Sequence, residues 1–241
     1  MLGRQKYIED VFKSETSKRN LPMNIMLCVI SFILFLVLPG LLFALFSGFI
    51  KNEMTCEILS RIISIVVIAS LYYKDLKREF KELKNKPAHK IGQAFKYYGL
   101  GLGIMMISNL ILLIIFKDIS TNETEVRGML LENPIPMLLM ISILAPVMEE
   151  LVFRKSMSPI FKNKYIFAIS TGVLFGLAHL MVDFLSPGFE IHRLLYVIPY
   201  GSLGFAFALM NRNCNSTFVS ICMHCIHNTF TALLILSQGG I

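Results

Sequence analysis

The sequence predicts an all-α protein, a polytopic transmembrane helical bundle of about seven spans with short interfacial helices. Three observations carry that reading. The 241 residues are 55% hydrophobic and only 16% charged, whereas soluble domains are about a quarter charged. Mean hydropathy is +0.64. Several apolar runs approach or exceed the ~20 residues that cross a bilayer as a helix. The net charge of +7 lies between these runs, which fits membrane flanks rather than a nucleic-acid surface. The bilayer is therefore an expected partner and nucleic acid is not.

Residues 1–20 carry Arg4, Lys6, Lys13, Lys18 and Arg19, with Leu2, Ile8, Val11 and Phe12 at roughly helical spacing. A cytoplasmic amphipathic segment on the membrane surface is expected there. Residues 21–133 form the N-terminal transmembrane helices and a basic loop. The first span is Leu21–Ile50, with a bend at Pro39-Gly40. The second is Ile58–Tyr73, with Arg61 near one end where it can snorkel. The loop from Lys74 to Lys96 holds eight basic residues (Lys74, Lys77, Arg78, Lys81, Lys84, Lys86, Lys90, Lys96) and an apolar stripe of Leu76, Phe80 and Leu83. Part of it is expected to lie on the surface as a helix. The third span, Tyr97–Phe116, opens with Gly99, Gly101 and Gly103, suited to close helix approach. Residues 117–133 read as polar and slightly acidic.

The unit 134–236 begins with an apolar run from Pro134 that continues as helix to about Met157. Spans at Tyr165–Val182, Leu194–Met210 and Thr217–Leu236 follow, and Gly172 with Gly176 gives the first of these a G-x-x-x-G face. The positive-inside rule puts the N-terminus, the 74–96 loop, the Arg154–Lys164 loop and Arg212 in the cytoplasm. These assignments alternate consistently for seven spans and leave the C-terminus outside. No cleavable signal peptide, internal repeat or soluble second domain is expected. Cys222 and Cys225 make a C-x-x-C within a predicted span, where small apolar packing residues are the plainer reading.

The stretch that carries chemistry is Ala145 to Arg154, A-P-V-M-E-E-L-V-F-R. Paired acids inside a span are costly and usually mark function. On a helix Glu150 and Arg154 are four apart and meet on one face. Glu149 is turned about 100° away and lacks a partner in its own helix. Phe175 and His179 share a face of the next span, and His224 and Asn228 share a face of the last. Helix rise from the assumed cytoplasmic ends sets Glu149 ~12–14 Å deep, His224 ~10–15 Å and His179 ~20 Å. The unusual polar groups converge on the middle layer of one bundle.

E-E-x-x-x-R at 149–154, F-x-x-x-H at 175–179 and H-x-x-x-N at 224–228, on successive spans, resemble the CAAX-protease and bacteriocin-processing (CPBP) family. That family includes the eukaryotic Ras-converting CAAX endopeptidase and many bacterial Abi-domain proteins. The resemblance covers roughly 134–236, with no substitution at a motif position. It implies an intramembrane endopeptidase whose helix-enclosed site is reached from the cytoplasm and cleaves a membrane-associated peptide or protein. By that resemblance Glu149 matches the acid that activates water, helped by His179. His224 and Asn228 match the pair that stabilises the oxyanion. Glu150 and Arg154 are read as a structural pair. Donors to a developing oxyanion are worth several kcal/mol, about 2.7–4 for a single one in a soluble protease. Bacterial relatives are implicated in bacteriocin or peptide-pheromone maturation and self-immunity, and a short chain rich in Lys, Asn and Ile with no organellar signal suits a multi-pass protein of a bacterial plasma membrane.

Other readings stay open at this stage. No cofactor is expected, but one or two Glu and two His could hold zinc with an open position. No H-E-x-x-H or other dedicated zinc spacing is present. A non-catalytic scaffold or immunity protein would keep the bundle, though it has little need of four buried polar groups. A transporter would show inverted repeats or broken helices in both halves. His227 reads as packing or support, Phe175 as a cavity wall, Asp183 as a loop-end acid, and His89 and His192 as solvated.

Overall fold

The computed structural model describes residues 19–83, 87–186 and 189–239. The amphipathic segment expected at 1–20 therefore lies outside the described residues, save its last two. Among the described residues ten helices follow in order: α1 Leu21–Ser47, α2 Glu53–Leu71, α3 Tyr73–Leu83, α4 Pro87–Phe116, α5 Thr121–Glu132, α6 Pro134–Ile160, α7 Lys164–His179, α8 Met181–Leu185, α9 Val197–Cys214 and α10 Thr217–Ser237. A 3-10 turn at Ile191–Tyr196 leads into α9. Among the described residues six helical stretches are long and apolar enough to cross a membrane: α1, α2, α4, α6, α9 with its leading turn, and α10. The remaining predicted span, α7, has only 16 residues. The estimate of seven is thus six full-length spans and one short apolar helix.

Starts are set by side-chain caps. Asn20 accepts from the N–H of Met23, Asn52 from Thr55, Ser120 from Glu123, and Asn163 from Tyr165 and Ile166, each satisfying donors that the first turn leaves unpaired. The structure also revises the sequence reading within these elements. The helix predicted from Tyr97 begins at Pro87, because Pro suits a first turn and the basic residues after it solvate that turn without breaking it. The polar stretch 117–133 contains α5, opened by the Ser120 cap. The stripe Leu76, Phe80, Leu83 is split: Leu76 packs into the core and Phe80 is exposed.

The central packing is α9 against α7 and α4, with α1 against α2 alongside. Small residues allow it. A Cβ on Gly172 would come within 2.7 Å of the Gly201 carbonyl, and one on Gly176 within 2.7 Å of the Val197 carbonyl. On α4 only Gly101 serves a close approach, its Cβ position lying 2.5 Å from Ala206 Cβ, while Gly99 and Gly103 meet nothing within 4 Å. That corrects the three-glycine expectation: positions two apart project to different sides of a helix, so only one can face α9.

Polar anchors gather at one end of the bundle. Glu79 of α3 pairs with Lys155 of α6 and accepts from the backbone N–H of Thr217 at 2.7 Å, at the start of α10. Arg212 of α9 donates to the Ser158 carbonyl at 3.0 Å. Asp75 of α3 binds Arg19 before α1. Tyr72, between α2 and α3, donates to the Leu27 carbonyl at 3.0 Å and meets Ser31 Oγ at 2.8 Å. Burial pushes its phenol up to about 12, so it remains a donor at neutral pH.

Candidate active site

The helix bearing the two acids is not a regular α-helix. It widens into π turns at Met140–Leu144 and Glu150–Ser156, features that concentrate at functional sites. Pro146 explains the first. It has no N–H to donate and its ring crowds the preceding turn. The Ala145 N–H reaches back to the Met140 carbonyl, not to Ile141. The π-type partner of the Ile141 carbonyl would be residue 146, which is proline. That carbonyl is left over inside the bundle, and Asn228 Nδ2 of α10 donates to it at 2.8 Å.

The second wide turn carries Glu150, Arg154 and Lys155. Glu150 and Arg154 are both fully buried and lie 3.1 Å apart, Oε1 to Nη1. Arg154 Nη2 donates to the Gly204 carbonyl at 2.9 Å. Its guanidinium lies 4.6 Å from the centroid of Phe175 and 5.6 Å from that of Phe207, so aromatic faces and a carbonyl supplement one carboxylate.

Glu150 does more than pair with Arg154. Its Oε1 also lies 3.0 Å from His224 Nδ1. A carboxylate beside a guanidinium only accepts, so Nδ1 carries the proton and donates. The other nitrogen, Nε2, then faces Glu149 Oε2 at 3.6 Å. That exceeds hydrogen-bond range, so neither atom is committed to the other. Phe207 stacks on His224 with centroids 4.6 Å apart and fixes the ring plane.

His179, at the end of α7, is held by the same device. Its Nδ1 lies 2.9 Å from the Phe175 carbonyl, which can only accept, so Nδ1 is the donor and Nε2 of the neutral ring keeps its lone pair. Phe175 lies 4.4 Å from the His179 ring and Tyr200 stacks on it at 4.6 Å. Phe175 also meets His224 edge-on at 5.7 Å. One phenyl ring therefore touches both imidazoles, and Glu149 lies within electrostatic reach of His179 and Arg154. Glu149, His179 and Asn228 are partly exposed while His224 and Glu150 are buried.

The structure thus gathers Glu149, Glu150, Arg154, His179 and His224 around Phe175 and Phe207, with Asn228 one turn beyond His224 on α10. Asp183 turns elsewhere: its Oδ1 accepts from Arg193 at 3.0 Å and from Thr121 at 2.5 Å. His227 pairs with Tyr98 of α4 at 3.1 Å, and His192, expected in solvent, stacks on Phe116 at 4.4 Å. Sequence reasoning missed Tyr200, whose hydroxyl is tied to Ser120 Oγ at 2.5 Å and Asn122 Nδ2 at 3.3 Å. It also missed Phe207 and the Glu150–His224 bond. No spacing signals them, because each joins separate helices. Among the described residues no three His, Cys, Asp or Glu side chains form a metal-ligand group.

Residues 131–230 match the family model described as type II CAAX prenyl endopeptidase, Rce1-like. That segment contains every residue of the site, and over it the chain is similar to the CAAX-protease family. With six helices long and apolar enough to cross a membrane among the described residues, it is a multi-pass membrane protein. No curated protein and no solved structure matches the chain.

Proposed function

We propose that the chain is an intramembrane endopeptidase in which Glu149 activates water, assisted by His179, and His224 with Asn228 stabilises the oxyanion. The observation that carries the reading is the arrangement of His224: Nδ1 held by Glu150 at 3.0 Å, Nε2 uncommitted 3.6 Å from Glu149. Glu149 takes a proton from water as the oxygen attacks the scissile carbonyl carbon. The carbonyl oxygen becomes negative and is met by donors at the site. Since Nδ1–H of His224 serves Glu150, donation from Nε2 requires the doubly protonated ring. Asn228 has one amide N–H on Ile141 and a second to offer. Collapse of the intermediate breaks the C–N bond, and the proton held by Glu149 passes to the departing amine. The products are a carboxylate and an amine.

The mechanism proposed is metal-free. Among the described residues no three His, Cys, Asp or Glu side chains converge as a zinc ligand group, and the sequence has no dedicated zinc spacing. Stripping divalent metal from the protein in detergent is expected to leave cleavage unchanged. Stoichiometric zinc, with activity lost on removal and restored on return, reverses that choice.

The substrate proposed is a membrane-associated peptide or protein cleaved on the cytoplasmic side of a plasma membrane, in bacteriocin or pheromone maturation or in self-immunity. A prenylated CAAX substrate is the one named by the family description, and nothing in the residues of this chain favours it over a peptide precursor. A second reading has one observation in its favour. Asn228, Glu150 and His179 all have partners within the protein, as in a scaffold that binds without cleaving. Glu149→Gln separates the two. Loss of peptide maturation or immunity at normal expression supports catalysis, and full retention supports the scaffold.

A further inference from the structure

Helix α3 is two-sided in charge. Two of its three acids are buried: Asp75 and Glu79 hold Arg19, Lys155 and the Thr217 N–H, while the partly exposed Glu82 accepts from Asn215 Nδ2 at 3.3 Å. Its outward face carries Tyr73, Lys74, Lys77, Phe80 and Lys81, all exposed, with the Phe80 ring edge-on against Phe218 of α10, centroids 5.7 Å apart. Residues 73, 77, 80 and 81 follow at helical spacing, with 74 adjoining. None of the three lysines pairs with an acid among the described residues; Lys77 instead lies over the Tyr73 ring at 5.7 Å. The helix starts two residues after α2 ends, so it leaves the membrane at headgroup level. Aromatic rings with lysines at that depth suit an interface of apolar and anionic character.

We propose that this face of α3 binds anionic phospholipid headgroups in the leaflet it lies on. The occupant follows from charge: three outward ammonium groups, with the helix's buried acids neutralised behind them, complement phosphate diesters bearing net negative charge and not zwitterionic ones. The same helix holds α6 and α10 through Glu79, so headgroups engaged outside bear on the helices that carry Glu149 and His224. This interaction is independent of whether the protein is a peptidase.

The chain has no tryptophan, so Phe80→Trp places a single reporter on this face. The full-length variant is reconstituted in vesicles of phosphatidylcholine with an equal minor fraction of either brominated phosphatidylglycerol or brominated phosphatidylcholine. Stronger quenching by the brominated anionic lipid is expected. Adding Lys74→Gln, Lys77→Gln and Lys81→Gln is expected to remove the preference, each lysine being worth about fivefold in lipid affinity. Far-ultraviolet circular dichroism of each variant checks that these exposed changes leave the bundle folded. Equal quenching by the two lipids, quenching by neither, or a preference that survives the triple change overturns the proposal.

Discussion

Glu150 is the residue whose role is most enlarged by the fold. It balances a fully buried guanidinium and fixes the proton on His224, two tasks for one oxygen atom. Glu150→Gln leaves Arg154 uncompensated in a dry site, and breaking a buried pair in this way costs about 3–5 kcal/mol. A clear drop in unfolding midpoint is expected in detergent, read by circular dichroism. Glu149→Gln is the contrasting case. Glu149 makes no direct hydrogen bond to His224, so stability is expected to change by less than about 1 kcal/mol, while cleavage falls by at least about 10²-fold. Tyr200 belongs to the same scale. Replacing it with Leu removes the ring stacked on His179, and a lower kcat with little change in KM is expected; Tyr200→Phe keeps the ring and should recover most of that loss. Of these residues, Glu149, Glu150, Arg154, His179, His224 and Asn228 were legible in the sequence because each motif lies within one helical turn or two. Tyr200 and the Ile141 carbonyl were not. Their partners are 21 and 87 positions away in the chain, and local periodicity says nothing at that range.

At the scale of elements, α6 depends on its two wide turns and α7 on its glycines. Gly172→Leu drives a side chain into the Gly201 backbone, where no rotamer change relieves the contact. Overpacking of that kind costs about 1–3 kcal/mol or more, and it displaces the helix that ends in His179. Loss of cleavage together with a lowered midpoint is expected, whereas Gly99→Leu, facing open space, should leave both nearly unchanged. The long apolar runs made most spans readable. The start of α4 and the existence of α5 were not readable, since a Pro start and a Ser cap in polar sequence are equally at home in a loop. The π turns were hidden for another reason: Pro146 announces a kink, but not which carbonyl it strands or which side chain will answer it.

For the whole molecule, segments predicted from charge alone to share a side of the membrane do meet at one end of the bundle. Glu79 of α3, Lys155 and Ser158 of α6, Arg212 of α9 and the start of α10 are joined there by hydrogen bonds or an ion pair. That agreement came from the positive-inside pattern, which senses only flanking charge. Sidedness itself follows if the short helix α7 crosses. At ~1.5 Å per residue it spans ~24 Å, under the ~30 Å hydrocarbon core, so local thinning or α8 must make up the difference. Reporter fusions at the two ends of the chain are expected on opposite sides, with the N-terminus cytoplasmic; the same side for both means that α7 does not cross.

The measurement that bears most directly on the site is cleavage by the purified, reconstituted protein and its Glu149→Gln variant at matched amount and folding. Two probes, a leader-bearing peptide precursor and a prenylated CAAX peptide, would be read by mass spectrometry. We expect at least one to be cut at a defined bond by the unaltered protein and neither at comparable rate by the variant. Equal cutting by both proteins would contradict the account, because hydrolysis would then owe nothing to the carboxylate facing His224.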